Sequence, residues 1–343
     1  MTDALHPPGD LRARRELFRL FGRVTKVKVL LTGASSFSGL WIARALANAG
    51  HHVIAPLKRP LSAYSSLRRE RVELLAAEVD VRYDAPLESD AFKAILSDEA
   101  SQAFIHHAAD IPNYGDPSYD LVEGFNRNVS GLADLIAEFS RAGGQSFLAS
   151  GSIFEFERPA AEQDKLAISP YGLSKSLTNI TLQHYALWSG LSFGRLVISA
   201  PFGPYEEGRF AWSLVKAWSK GMAGTVRTPR YVRDNIPAPL LGQAYADFLD
   251  QAQAARGVSL VARPMGFAGT QLTFAERLAR ELGPRLGLGC EIEALSQPHL
   301  DQPETVLNTD PAIPNDWRSA EFWDDYADFY ARIIHTGAFD EPA

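Results

Sequence analysis

A mostly aliphatic run, Val27 to Leu31, enters the stretch Thr32-Gly33-Ala34-Ser35-Ser36-Phe37-Ser38-Gly39, and a helical pattern from Leu40 to about Ala49 follows, stopped by Gly50. This order is restrictive. A short run of β-branched and aliphatic residues suits a strand buried on both faces, which is a parallel strand. A glycine turn between such a strand and a helix gathers backbone N–H groups and the positive helix end at one point, where a pyrophosphate fits. Gly33 suits the tight turn, and Gly39 suits close packing of helix on strand.

Further segments repeat the rhythm. Val53-Ile54-Ala55 reads as a second strand, Val79 to Asp84 as a third and Ala103 to Ala109 as a fourth with its exit. Asp120 to Arg141 has one long helical pattern. Phe147 to Phe154 reads as a fifth strand ending in two hydroxyls, Ser150 and Ser152. A helix from Tyr171 to Trp188 and a sixth strand from Leu191 to Ala200 follow. After Tyr205 the alternation breaks. Helices are expected over Arg209–Lys220, Pro239–Ala254, Phe274–Leu282 and Phe322–Ile334, with a strand at Val258–Ala262 that returns to the main sheet. The basic pattern from Asp10 to Phe21 reads as a helix with solvated arginines.

With 343 residues, 46% hydrophobic and 22% charged, the chain is long enough for one large or two modest cores. A net charge of −7 argues against general nucleic-acid binding. Cys290 is the only cysteine, so no disulfide forms within the chain. No signal-like apolar core stands at the N-terminus, and no apolar run approaches the roughly 18 residues of a membrane span. The expectation is a cytoplasmic protein with no membrane partner.

Tyr171 and Lys175 lie one turn apart on one helix face. A nearby cation favours the phenolate over the phenol, so such a tyrosine exchanges a proton with a substrate oxygen near neutral pH. Ser150 precedes Tyr171 by 21 residues and offers a strand-end hydroxyl. At the end of the second strand the chain reads Pro56-Leu57-Lys58-Arg59. A carboxylate there bonds the ribose of NAD; two cations suit the 2′-phosphate of NADP. His106 and His107 point to opposite faces of a strand with no carboxylate or histidine at ligand spacing, so no metal role is expected.

These motifs, in this order, resemble the extended branch of the short-chain dehydrogenase/reductase superfamily, the NAD(P)-dependent epimerase/dehydratase group. The loop is similar to Thr-Gly-x-x-Gly-x-x-Gly with Ser36 at the middle glycine, where a side chain crowds the pyrophosphate and offers it a hydroxyl. The resemblance implies catalytic roles for Ser150, Tyr171 and Lys175, with Ser152 as second choice for the hydroxyl. It implies cofactor contacts from Gly33, Ser35, Ser36, Phe37 and Gly39 in the loop. Lys58 and Arg59 would lie at the ribose, Asp84 at the adenine, and Ala108 and Ala109 along the cofactor. Asn128 would support the site, Lys175 would bond the nicotinamide ribose, and Pro201 would lie in the turn beside the nicotinamide. Ser152, Arg209 and Arg233 are the expected substrate contacts. Ala200 stands where many sugar-nucleotide members have asparagine, Pro239 where they have aspartate, and Pro303 to Asp310 carries no arginine.

The expected architecture is a doubly wound parallel α/β sheet (Rossmann) with a smaller C-terminal substrate lobe. An N-terminal extension covers 1–25. The dinucleotide-binding domain covers 26–203 with a return at 232–265, and the substrate lobe covers 204–231 and 266–343. Gly151-Ser152 follows Ser150 where the resembled 4,6-dehydratases carry an acid pair, so water elimination is not expected. The favoured activity is reduction of a keto group on a nucleotide-activated sugar with NADP(H), NAD(H) being possible. An epimerase is the alternative, and a non-catalytic NADP-sensing binding protein a second one. The resemblance also implies a homodimer.

Overall fold

The computed structural model describes residues 26–110, 116, 118–155, 167–297, 303–315 and 317–340; the basic segment 10–21 lies outside them. The first half alternates strands and helices: β1 Lys28–Thr32, α1 Phe37–Asn48, β2 His52–Pro56, α2 Ser66–Glu78, β3 Asp80–Arg82, α3 Asp90–Glu99, β4 Ala103–His106. Then come α4 Leu121–Val129, α5 Leu132–Arg141, β5 Ser146–Ser152, α6 Pro170–Trp188, β6 Ser192–Ile198 and β7 Ala200–Phe202. The second half holds α7 Phe210–Ser219, β8 Gly224–Val226, β9 Val232–Pro237, α8 Ala238–Ala254 and β10 Ser259–Ala262. It ends with β11 Pro264–Met265, β12 Phe267–Thr270, α9 Gln271–Leu286, β13 Ile292–Ala294, β14 Thr305–Val306, β15 Asp310–Pro311 and α10 Ser319–Thr336.

Seven parallel strands form the main sheet in the order β10-β6-β5-β4-β1-β2-β3. The order reverses at β1 and β4, which is where a doubly wound sheet opens a crevice at its carboxyl edge. Near-continuous apolar strands such as β1 and β4 are buried on both faces. Leu31, Val53, Ile105 and Leu148 pack with α1 and α8 on one face. Leu30, Phe104, Phe147 and Phe193 pack under α3, α5 and α6 on the other. A second core in the C-terminal lobe gathers Phe202, Trp212, Trp218, Phe274, Trp323, Tyr326 and Tyr330.

Three sequence expectations change. The helix expected over Asp120–Arg141 is two helices, because Ser130 takes ψ 133° and Gly131 φ +67°, which end one helix and start the next. The sixth strand breaks after Ile198, and β7 leaves the main sheet to pair with β9 in a small separate sheet. The return to the main sheet is therefore made by β10, which pairs with β6, and by α8, which packs on α1; β9 belongs to the small sheet with β12 and β14.

The two halves are clamped beside the glycine loop by Arg71 of α2, a fully buried guanidinium. It makes a bidentate pair with Glu207 at 3.0 and 2.7 Å and donates to the backbone oxygens of Tyr205 (3.0 Å) and Ser35 (3.2 Å). Trp41 of α1 adds a hydrogen bond to Pro204 O. Removing one partner of a buried pair leaves an uncompensated charge. Glu207→Ala is therefore expected to lower unfolding free energy by about 3 kcal/mol, and the double change Arg71→Met/Glu207→Leu to recover most of it, both read from chemical denaturation.

Candidate active site

The glycine loop leaves β1 at Thr32. Gly33 has φ +75°, and a Cβ on it would lie 2.7 Å from Ala108 N, so glycine is needed for the turn and for its close approach to the β4 exit. Ser36 caps α1: its hydroxyl donates to Gly33 O (2.9 Å) and accepts from Gly39 N (3.0 Å). Its proton is thus used inside the loop, which corrects the expectation of a hydroxyl offered to pyrophosphate. Gly39 carries no Cβ because one would sit 2.2 Å from Gly33 O. The first turn of α1 holds no acidic residue, so no carboxylate on the helix offsets its positive end. Ser35 and Phe37 flank that end; Ser35 O is fixed by Arg71, and the Arg209 guanidinium lies 5.2 Å over the Phe37 ring.

The other expected cofactor residues line the same carboxyl edge. Lys58 and Arg59 follow β2 and are exposed. Asp84 follows β3, also exposed, with φ +56°. Ala108 is held by a hydrogen bond from its N to Thr32 Oγ1 (3.3 Å), with Ala109 next to it. Asn128 accepts from Asp110 N (2.8 Å) and donates to Asp110 O and Gly124 O, pinning the β4 exit to α4. Pro201 lies in β7 opposite Ile236. A helix N-terminus with no acidic residue in its first turn, a glycine turn with no room for a Cβ and cations past β2 fit a dinucleotide phosphate chain.

The proposed chemistry sits at the carboxyl end of β5. Lys175 Nζ, buried, donates to Ser150 O at 3.0 Å. Ser169 caps α6 by accepting from Gly172 N, and Tyr171 stands one turn before Lys175, 8% exposed, its ring edge-on to Tyr119 and Phe154. Gly172 lets the helix approach, since a Cβ there would meet Phe154 O at 2.0 Å. Glu155, 1% exposed, accepts from Ser152 N (2.6 Å) and Asn179 Nδ2 (2.8 Å) and pairs with Arg195 (2.9 Å). Burial lowers the Lys175 pKa, and the Glu155 carboxylate opposes that. Ser150 Oγ itself lies 2.7 Å from His107 Nδ1 and 2.6 Å from Tyr245 OH.

The epimerase family model, described as the NAD dependent epimerase/dehydratase family, matches residues 29–265. The chain belongs to the NAD-dependent epimerase/dehydratase family. No curated protein sequence matches it. Solved structures share its fold. A mutant UDP-glucuronic acid 4-epimerase from Bacillus cereus, with UDP-4-deoxy-4-fluoro-glucuronic acid and NAD, superposes with TM-score 0.70 at 16% identity, over 89% of this chain and 99% of that one. A UDP-glucose 4-epimerase from Thermotoga maritima with UDP-glucose gives 0.67 at 18%, over 90% and 99%. A UDP-N-acetylglucosamine 4-epimerase from Methanobrevibacter ruminantium M1 with UDP-N-acetylmuramic acid gives 0.68 at 18%, over 90% and 99%. The chain is an enzyme of this family.

Within this epimerase/dehydratase framework the expected substrate-contact residues scatter. Ser152 Oγ accepts from Phe154 N. Arg209 is exposed at the start of α7, over Phe37 and so beside the glycine loop. Arg233 NH1 donates to Val232 O and Glu304 O, and its guanidinium stacks on Tyr231 at 4.3 Å. Its neighbour Asp234 instead accepts from Gly266 N, so the two do not form the surface pair their adjacency suggests. Among the described residues, no group of three metal-ligating side chains converges. His107, Glu155 and Tyr245 are the site residues that motif reading missed. His107 reads from the sequence as a packed or hydrogen-bonded histidine with no partner specified, Glu155 lies past the strand-end motif, and Tyr245 sits in a helix 95 residues from Ser150.

Two histidines at this site stay neutral in the fold. Burial is the main cause, with Lys175 adding to it: His106 is pushed down to about 3 and His107 to about 4. His106 bonds Thr32 Oγ1 between Phe104 and Phe147; His107 faces Ser38, Ser150 and Tyr245. The unfolded chain takes up these protons near pH 6.5 and the native one does not, so stability falls with pH below 6.5, by about 1.4 kcal/mol per unit per histidine. The fall ends near the folded pKa values. His106→Gln is expected to flatten the stability profile between pH 6.5 and 4, and NMR is expected to find both native imidazoles neutral at pH 5.

Proposed function

We propose that the chain reduces a keto group of a nucleotide-activated sugar, with NADPH as hydride donor. The observation that carries it is the meeting of Lys175 with Ser150 at the end of β5, with Tyr171 one turn away on α6. When bound, a nicotinamide supplies the hydride. Tyr171 gives a proton to the carbonyl oxygen, the buried Lys175 ammonium favours the resulting phenolate, and Ser150 donates a hydrogen bond as charge develops on that oxygen. Lys58 and Arg59, exposed past β2 in a run, Pro56-Leu57-Lys58-Arg59, that carries no carboxylate, support NADP(H) by offering guanidinium and ammonium donors to a 2′-phosphate.

A second reading, nucleotide-sugar epimerisation with retained NAD, is favoured by the bound NAD and UDP-sugars of structures that share the fold. The sensing-protein reading loses support because Ser150, Tyr171 and Lys175 are all present and two of them touch. Tyr171→Phe is expected to lower kcat for a 4-keto nucleotide sugar by about 100-fold or more; undiminished turnover would sink the mechanism. Mass spectrometry of copurifying nucleotide separates the readings. NADP(H) or none is expected for the reductase, and tightly held NAD(H) would favour the epimerase.

A cytoplasmic homodimer through α4 and α6 completes the proposal. No described helix is long and apolar enough to cross a membrane. Leu173, Leu177, Ile180, Leu187 and Trp188 form an exposed stripe on α6 at helical spacing, and Val122 is exposed on α4, which packs against it. Covering such a stripe with a second copy removes apolar surface from water. The double change Leu177→Asp/Ile180→Asp is expected to convert a dimer to a monomer in size-exclusion light scattering.

A further inference from the structure

Four polar side chains form one continuous chain through the site: Ser38 Oγ to His107 Nε2 at 2.9 Å, His107 Nδ1 to Ser150 Oγ at 2.7 Å, and Ser150 Oγ to Tyr245 OH at 2.6 Å. Its direction follows from counting protons. Tyr245 is fully buried, and Ser150 is its one hydrogen-bond partner among the described residues, so the phenol donates and the serine accepts. His107 is neutral and carries one N–H. Its Nε2 faces Ser38 in the first turn of α1, where the positive helix end favours a lone pair over an N–H. The proton therefore sits on Nδ1, and the Ser38 hydroxyl donates to Nε2. Both lone pairs of Ser150 Oγ are then filled, one by His107 and one by Tyr245. The serine's own proton has no acceptor among the described residues.

We propose that His107, with Tyr245, is a positioning residue for Ser150, turning the serine hydroxyl into a pure donor aimed at the reacting oxygen, with Ser38 fixing the histidine tautomer. This rests on the catalytic role proposed for Ser150. It ties the glycine-loop helix to the catalytic strand through one imidazole, so the same helix end that faces phosphate also sets the serine's polarity.

Two measurements test it. Nitrogen-15 NMR of the imidazole in the intact protein needs no turnover: the Nδ1–H tautomer is expected at His107, and an Nε2–H tautomer overturns the proposal. In steady-state kinetics with a keto nucleotide sugar, His107→Leu is expected to lower kcat about 10- to 100-fold with KM and dinucleotide affinity unchanged. His107→Asn, whose amide places an N–H where Nδ1–H stood, is expected to restore most of it. Equal loss in both variants, or full activity in His107→Leu, overturns the role. Turnover that survives Tyr171→Phe would instead overturn the proposed function, and the tautomer result would still decide the orientation of Ser150.

Discussion

Lys175 is a cation taken out of water, and the active end of the molecule is organised by what compensates it. An isolated buried ammonium is costly, so it must find acceptors or lose its proton. Here the Ser150 carbonyl accepts from it, and the Glu155 carboxylate stabilises its charge from nearby. Glu155 is in turn held by Ser152 N, Asn179 and Arg195, which come from β5, α6 and β6. One charge thus fixes the relation of two strands and a helix. Tyr171 inherits its place from that arrangement, because it sits one turn before Lys175 on the same helix.

The same logic operates where the two lobes meet. Arg71 has no exposed surface, and its donors reach the glycine loop, the Tyr205 carbonyl and Glu207. A planar fork can satisfy several acceptors at once, which suits arginine and not lysine. Glu206, next along, is buried in the other direction and accepts from Tyr326 and Tyr330 of α10 at 2.5 Å each. Burial raises its pKa. Adjacent residues of one short segment are thereby anchored to opposite halves of the protein.

Much of the fold was legible in the chain because its information is local. Glycine turn chemistry, capping serines and apolar runs act over a few residues, and they placed the main-sheet strands and the long helices after β5 to within a few positions; α2, α3 and the short strands of the second half were not placed that way. The misreadings also have local causes. Asp120–Arg141 looked like one helix since Gly131 is compatible with a helical pattern, but Ser130 leaves helical geometry at ψ 133° and Gly131 takes φ +67°. Ser36 looked like a phosphate ligand since its hydroxyl was free on paper; in the loop it caps α1.

By itself the sequence determined a doubly wound parallel sheet and the position of the glycine loop, and it singled out Ser150, Tyr171 and Lys175 as candidates for one site. Each follows from motif order and from short-range periodicity. Tertiary structure alone decided the partners of those residues. Ser38 meets His107 across 69 positions, Ser150 meets Tyr245 across 95, and Arg71 meets Glu207 across 136. Such pairings depend on strand order, register and the packing of helices on each face, and no pattern within a short window carries that information.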